Sequence, residues 1–147
     1  MPFTVRDAQA GDVQSIAELE KLCFSLPWNE KQILSQYPDD MHDFLVCVTA
    51  DGHLAGYVGM MHVLDEGYIA NVAVSPEYRR RGVADMLISG LLSRAEAHEL
   101  SFVTLEVRQS NAPARALYAK HGFTDVGVRK KYYESPTEDA ILMTRFF

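Results

Sequence analysis

The chain has 147 residues, 48% hydrophobic and 23% charged, with a formal net charge of −6. That length suits a single domain over residues 1–147, and the apolar share excludes a disordered chain. No apolar run reaches the ~18 residues needed to cross a bilayer, and the acidic balance speaks against a general nucleic-acid binder while leaving open a cationic substrate such as an amine or a basic peptide.

Phe3 to Arg6 reads as a short strand. Asp12 sits where a helix N-cap belongs, and Val13, Ile16, Ala17, Leu19 and Leu22 form a helical stripe behind it. Pro27-Trp28-Asn29 interrupts that period, and Asn29 is placed to cap a second helix carrying Ile33 and Leu34. Phe44 to Thr49 and Leu54 to Met61 are strands around an Asp51-Gly52 turn, and Tyr68 to Val74 is a third, ended by Ser75-Pro76. Val83 to Ala97 is an amphipathic helix with Ala84, Leu87, Ile88, Leu91 and Ala95 on one stripe. Phe102 to Val107 is a strand, Asn111 to Ala119 a short helix, and Gly122 to Val128 and Ala140 to Phe146 are closing strands. The order predicts an α+β fold, a mixed and largely antiparallel sheet layered with helices.

Cys23 and Cys47 lie far apart with no Cys-x-x-Cys pair, which predicts reduced thiols and a cytoplasmic setting. The start, Met1-Pro2-Phe3-Thr4-Val5-Arg6-Asp7, lacks the apolar stretch of a secretory leader. The five histidines show no paired ligand spacing, so no metal is expected.

The most informative stretch is residues 72–84, where a strand runs through Arg79-Arg80-Arg81-Gly82 directly into a helix. The first turn of a helix carries unpaired N–H groups and a partial positive charge, which suit a phosphate. Gly82 and Ala84 let a ligand lie against the backbone, and three arginines concentrate positive charge in an acidic protein. The competing reading is a solvated basic helix start in which Gly82 merely serves the turn. Arg79-x-x-Gly82-x-Ala84 resembles the Gln/Arg-x-x-Gly-x-Gly/Ala motif of the GNAT superfamily of acetyl-CoA-dependent N-acetyltransferases. The resemblance implies a GNAT-like sheet flanked by helices on both faces. It also implies that Val72, Ala73 and Val74 run along the pantetheine arm of acetyl-CoA, and that Arg79, Arg80, Arg81, Gly82, Val83 and Ala84 surround its diphosphate.

Downstream, strand alternation puts Phe102, Thr104 and Glu106 on one face. Glu106 reads either as a solvent-facing strand charge or as a general base. Asn111 and Tyr118 share a helical face, where Tyr118 is either ordinary packing or a proton donor. The run from Leu105 to Phe123 resembles the Asn-x-x-Ala-x-x-Leu-Tyr-x-x-x-Gly-Phe block of GNAT enzymes, most closely the RimI family of ribosomal-protein-alanine N-acetyltransferases. Cys23-Phe24-x-x-Pro27-Trp28 and the tail from Arg129 to Met143 resemble the same family. This implies Glu106 as general base, Asn111 as a cofactor contact and Tyr118 as general acid. The implied acceptor is a protein N-terminal amine, that of an N-terminal alanine on a small-subunit ribosomal protein.

A protein α-amine has a pKa of ~7.7–8, so a modest base suffices to free it. The expected course is direct attack on the thioester in a ternary complex, with the oxyanion held by N–H groups near Val74. Acylation of Cys23 or Cys47 is the weaker route, since neither has a base and positive charge evident nearby. Trp28, Tyr132 and Tyr133 are candidate walls of an acceptor slot, with core packing the competing reading. Asp39, Asp40 and Asp43 read as a solvated acidic loop. A small-molecule amine, a lysine side chain, or a non-catalytic acetyl-CoA-binding module are the alternative functions.

Overall fold

The computed structural model describes residues 2–36 and 40–147. Seven strands build one sheet: β1 (Phe3–Asp7), β2 (His42–Thr49), β3 (Leu54–Val63), β4 (Glu66–Val74), β5 (Phe102–Arg108), β6 (Thr124–Tyr133) and β7 (Glu138–Phe146). Their order across the sheet is β1-β2-β3-β4-β5-β7-β6; β4 pairs with β5 in parallel and the other neighbours pair antiparallel. The α-helices among the described residues are α1 (Val13–Cys23), α2 (Glu30–Leu34), α3 (Val83–Ala97) and α4 (Ala112–Lys120).

Side-chain alternation along β2 and β3 sorts the two faces. Leu45, Cys47, Val58 and Met60 pack with Leu87, Ile88, Leu91 and Ala95 of α3 and with Tyr118 of α4. Phe44, Val46 and Tyr57 point the other way, onto Val13, Ile16, Ala17 and Leu19 of α1 and Ile33 of α2. Helices therefore cover both faces, as expected. Leu87, Ile88 and Leu91 of α3 are wholly buried, each contributing about 1.5–3 kcal/mol of apolar burial. Among the described residues no helix is long and apolar enough to cross a membrane.

Local signals explain most element ends. Asn29 caps α2, its side chain accepting the Gln32 N–H at 2.9 Å while the Gln32 side chain accepts the Asn29 N–H. Asn111 caps α4 through the Ala114 N–H at 3.2 Å. Asp12 precedes α1 but does not cap it. Its carboxylate accepts the Gln9 N–H at 2.7 Å and pairs with the Arg6 guanidinium, closing a 3-10 turn (Ala10–Asp12) instead.

Three expectations are corrected. On α1 the buried position is Glu20, 1% exposed, while Leu22 is 65% exposed. Gly122 does not begin β6; it is a left-handed turn (φ 87°) at the end of α4, packed against Arg145 so closely that a Cβ would lie 2.5 Å from its Nη1. Asp43 is not part of a solvated loop: it opens β2 and faces His62, His98 and Arg94. Asp40 is exposed, and Asp39 lies outside the described residues.

Candidate active site

The parallel pairing of β4 with β5 lasts only from Glu66 to Tyr68 opposite Phe102 to Thr104. On the other edge of β4, Gly59 faces Asn71 but Met60 faces Ile69, so Ala70 is an extra residue that bends the strand. Beyond it β4 and β5 diverge, and a cavity of about 1020 Å³ opens between them. Its walls are residues 69–74 of β4, residues 105–108 of β5, one face of α4 with Asn111, Pro113, Ala114, Leu117 and Tyr118, and the start of α3. Residues 134–136 and the α1–α2 loop, including Phe24, Leu26 and Trp28, close the far end, joined where the Ser25 hydroxyl donates to the Ser135 carbonyl at 3.0 Å.

The hydrogen-bond alternation of an antiparallel pair fixes where the β4 main chain points. Ser75 N–H donates to the Ala55 carbonyl of β3 at 2.8 Å. Ala73 shares that side, so the N–H groups of Val72 and Val74 are directed into the gap. The Val74 carbonyl agrees, since it accepts from Arg79 Nε at 3.2 Å and from the Cys23 thiol at 3.4 Å.

At the head of α3 the backbone alternates in hand, with Arg80 at φ 63° and Gly82 at φ 80° on either side of Arg81. Such alternation gathers consecutive N–H groups into a concave anion-binding nest. The helix ladder starts with Met86 N–H on the Gly82 carbonyl, at 3.0 Å, so the amides before it have no helical acceptor. A Cβ on Gly82 would meet nothing within 4 Å, which leaves its face open to a ligand. Arg79, Arg80, Gly82, Val83 and Ala84 line the cavity. Two of the three arginines are engaged otherwise: Arg79 folds back onto Val74 and Cys23, and Arg81 lies 5.8 Å from the Tyr78 ring centre, outside the lining. Asp85, the acid in the first turn, is neutralised by α4. Hydrogen bonds from Lys120 and then His121, both at 3.0 Å, hold its carboxyl below the usual range.

Glu106 lines the cavity with its side chain only 5% exposed. Both carboxylate oxygens accept from the Tyr68 hydroxyl, at 2.7 and 2.8 Å, and Arg129 Nε approaches to 3.9 Å. Burial, Tyr132 and Glu106 together push the Tyr68 phenol up, so Tyr68 stays a donor. Tyr118, 8% exposed, also reaches the cavity; burial alone pushes its phenol up to about 12. A proton donor and a carboxylate acceptor thus face one apolar-walled space that begins at a nest of amides.

A second buried carboxylate lies at the acceptor end. Glu20 accepts the Trp28 N–H at 2.8 Å, the Tyr57 hydroxyl, and the Asn71 amide at 3.1 Å. Burial raises its pKa, and these three donors work against that rise. The network fastens the Trp28 loop to β3 and β4. Burial likewise pushes the Cys23 thiol up despite nearby Arg79, which disfavours the thiolate; Cys47 is buried in the sheet core.

Trp28 and Tyr133 line the cavity, whereas Tyr132 stands outside it, 46% exposed, with its ring edge-on to Tyr133. Sequence reasoning passed over Tyr68, Asn71 and Glu20. The Tyr68–Glu106 pairing depends on the register of two strands separated by a helix, which carries no local signal. Glu20 had one, since it lies on the apolar α1 stripe where Leu22 seemed to belong.

Residues 13–123 match the acetyltransferase (GNAT) family. The chain is 34% identical over 139 residues to a putative [ribosomal protein bS18]-alanine N-acetyltransferase of Bacillus subtilis, covering 95% of this chain and 92% of that protein. It is 33% identical over 142 residues to the [ribosomal protein bS18]-alanine N-acetyltransferase of Escherichia coli K12, covering 95% of each. The crystal structure of the ribosomal-protein-S18-alanine N-acetyltransferase from Escherichia coli superimposes with a TM-score of 0.91 at 31% identity, over 99% of this chain and 94% of that one. With this likeness spanning the sheet, the amide nest and the β4–β5 gap, the chain belongs to the acetyltransferase (GNAT) family of acetyl-CoA-dependent N-acetyltransferases.

Proposed function

We propose that the protein transfers the acetyl group of acetyl-CoA to the N-terminal alanine of a bS18-type ribosomal protein, in the cytoplasm. The substrate assignment is supported by the two relatives, whose names give that acceptor, over 95% of this chain. The observation that carries the chemistry is that Glu106 and Tyr118 face one cavity starting at the head of α3.

In this reading the diphosphate of acetyl-CoA sits on the amides of residues 80–84, and the pantetheine arm lies along Val72 and Val74 on the free edge of β4. Asn111 contributes to the cofactor wall beside Tyr118. The acceptor amine enters past Trp28 and Tyr133, with Tyr132 at the rim. Glu106, directly or through a water, takes the proton of the ammonium. The freed amine attacks the thioester carbonyl, and the Val74 N–H receives the oxyanion. As the C–S bond breaks, Tyr118 gives its proton to the coenzyme A sulfur. The proton that the nitrogen sheds on becoming an amide restores the phenol, while the first proton passes from Glu106 to solvent. The phenol is protonated at neutral pH and so carries the proton to be given. Transfer is direct, and no step calls for a cysteine or a metal.

The test pairs two peptides, one beginning with a free alanine and its N-blocked, lysine-containing twin, each incubated with acetyl-CoA. Label on the free-alanine peptide alone is the expected result. Equal labelling would favour a lysine or general amine acceptor, and no turnover despite cofactor binding would favour a non-catalytic module.

A further inference from the structure

At the end of the sheet remote from the α3 nest, three residues distant in sequence converge: Asp43 at the start of β2, His62 near the end of β3, and His98 at the C-cap of α3. Asp43 Oδ2 lies 3.3 Å from His62 Nδ1 and 3.0 Å from His98 Nε2, and the three ligand-type atoms lie within 4.8 Å of one another. The imidazoles are stacked, with ring centres 4.2 Å apart and planes inclined by 27°. His62 Nδ1 is buried and makes no hydrogen bond, although Asp43 Oδ2 lies 3.3 Å away. A buried polar nitrogen of this kind normally has a partner.

We propose that Asp43, His62 and His98 form a site for a divalent transition-metal ion of the zinc class. Two imidazole nitrogens and one carboxylate oxygen make a three-ligand set suited to Zn²⁺, with ligand–metal distances of ~2.0–2.2 Å. Tetrahedral bonds of that length separate neighbouring ligand atoms by about 3.3 Å, close to the two contacts of Asp43. An ion would occupy the orphaned lone pair of His62 Nδ1 and replace the contact between His98 and Asp43. The carboxylate is already oriented for this. Oδ2 faces both rings, while Oδ1 turns toward Arg94 Nη1 at 3.7 Å, and Arg94 itself is anchored on Asp7 at 2.7 Å. The helix C-terminus beside His98 also favours a cation. Joined by a metal, the β2–β3 hairpin would be clamped to the end of α3 opposite its nest. His98, exposed on the surface, has room to move into place. Spacing alone could not reveal the set, since a hairpin and a helix end bring it together.

The test is calorimetric titration of chelator-treated protein with Zn²⁺, followed by thermal melting with and without the ion. One ion per chain is expected, and saturation raises Tm by about 5 °C. His98→Ala and Asp43→Asn should each weaken binding more than about tenfold and abolish the Tm shift. Because His98 is exposed, His98→Ala should fold, and both variants retain Cys23 and Cys47, so they also report binding elsewhere. With Co²⁺ in place of Zn²⁺, visible absorption of a four-coordinate nitrogen–oxygen site should appear in the native chain and vanish in both variants. Unchanged affinity in His98→Ala, or no saturable binding to the native chain, would overturn the proposal.

Discussion

The division of labour between two buried carboxylates is decided by what surrounds each. Glu106 has a phenol on both oxygens and opens on a cavity. Glu20 is enclosed by three fixed donors and serves position. Replacing Glu106 by Gln should lower kcat by about 10²–10⁴-fold with little change in the KM for acetyl-CoA, read by thiol release. Tyr118→Phe should lower kcat on the order of 10²-fold, leaving cofactor affinity nearly intact. The acids also differ in how they link to pH. Hydrogen bonds from Arg94, Arg6 and Lys120 lower the pKa of Asp7, Asp12 and Asp85 respectively. Their contribution is present above the unfolded value of ~3.9 and is lost as pH falls through the lower folded values. Glu20 is raised by burial, so its contribution is complete below its unfolded value of ~4.3 and fades as pH rises through the folded value. The Tm of Glu20→Gln relative to the native protein should therefore climb as pH rises from about 4. A flat or falling difference in melting scans would contradict that assignment. At this scale the motif singled out Glu106, Asn111 and Tyr118, and the structure brings the three to one cavity. The sequence was silent where a partner comes from another strand, at Tyr68 and Asn71. Glu20 misled because a helical period marks which face is inward, not whether a charge on it finds donors.

Elements were read well where local chemistry defines them. Asn29 and Asn111 cap as their positions suggest, and α3 spans the expected residues. β6 was harder: its edge position leaves most of its side chains exposed, so the apolar period that marks a strand is absent through Arg129-Lys130-Lys131. The nest at the head of α3 depends on the left-handed Gly82. Gly82→Ala puts a side chain into that conformation and should cost about 1–2 kcal/mol. It should also weaken coenzyme A binding about tenfold by closing the open face, measured by calorimetry. Leu91→Ala, which hollows the α3–sheet contact at a fully buried position, should cost about 2–5 kcal/mol in urea unfolding and leave the site chemistry unaltered in the folded fraction.

Across the molecule, the decisive feature is a sheet that fails to stay paired. Three residue pairs join β4 to β5, one bulged residue bends β4, and the separation supplies both a cavity and free main-chain edges. A largely antiparallel sheet followed from the order of the elements, and its cover of helices on both faces from the family resemblance; the strand order itself did not. The bulge at Ala70 did not, since alanine there has no signature distinguishing it from any strand residue. A structure of the protein with a bisubstrate analogue, coenzyme A joined through its acetyl carbon to an alanine-starting peptide, tests the whole arrangement at once. The diphosphate should rest on the amides of residues 80–84, the sulfur beside the Tyr118 hydroxyl, and the alanine nitrogen on the Glu106 side of the β4–β5 gap. A diphosphate bound away from the head of α3, or a sulfur remote from Tyr118, would contradict the account.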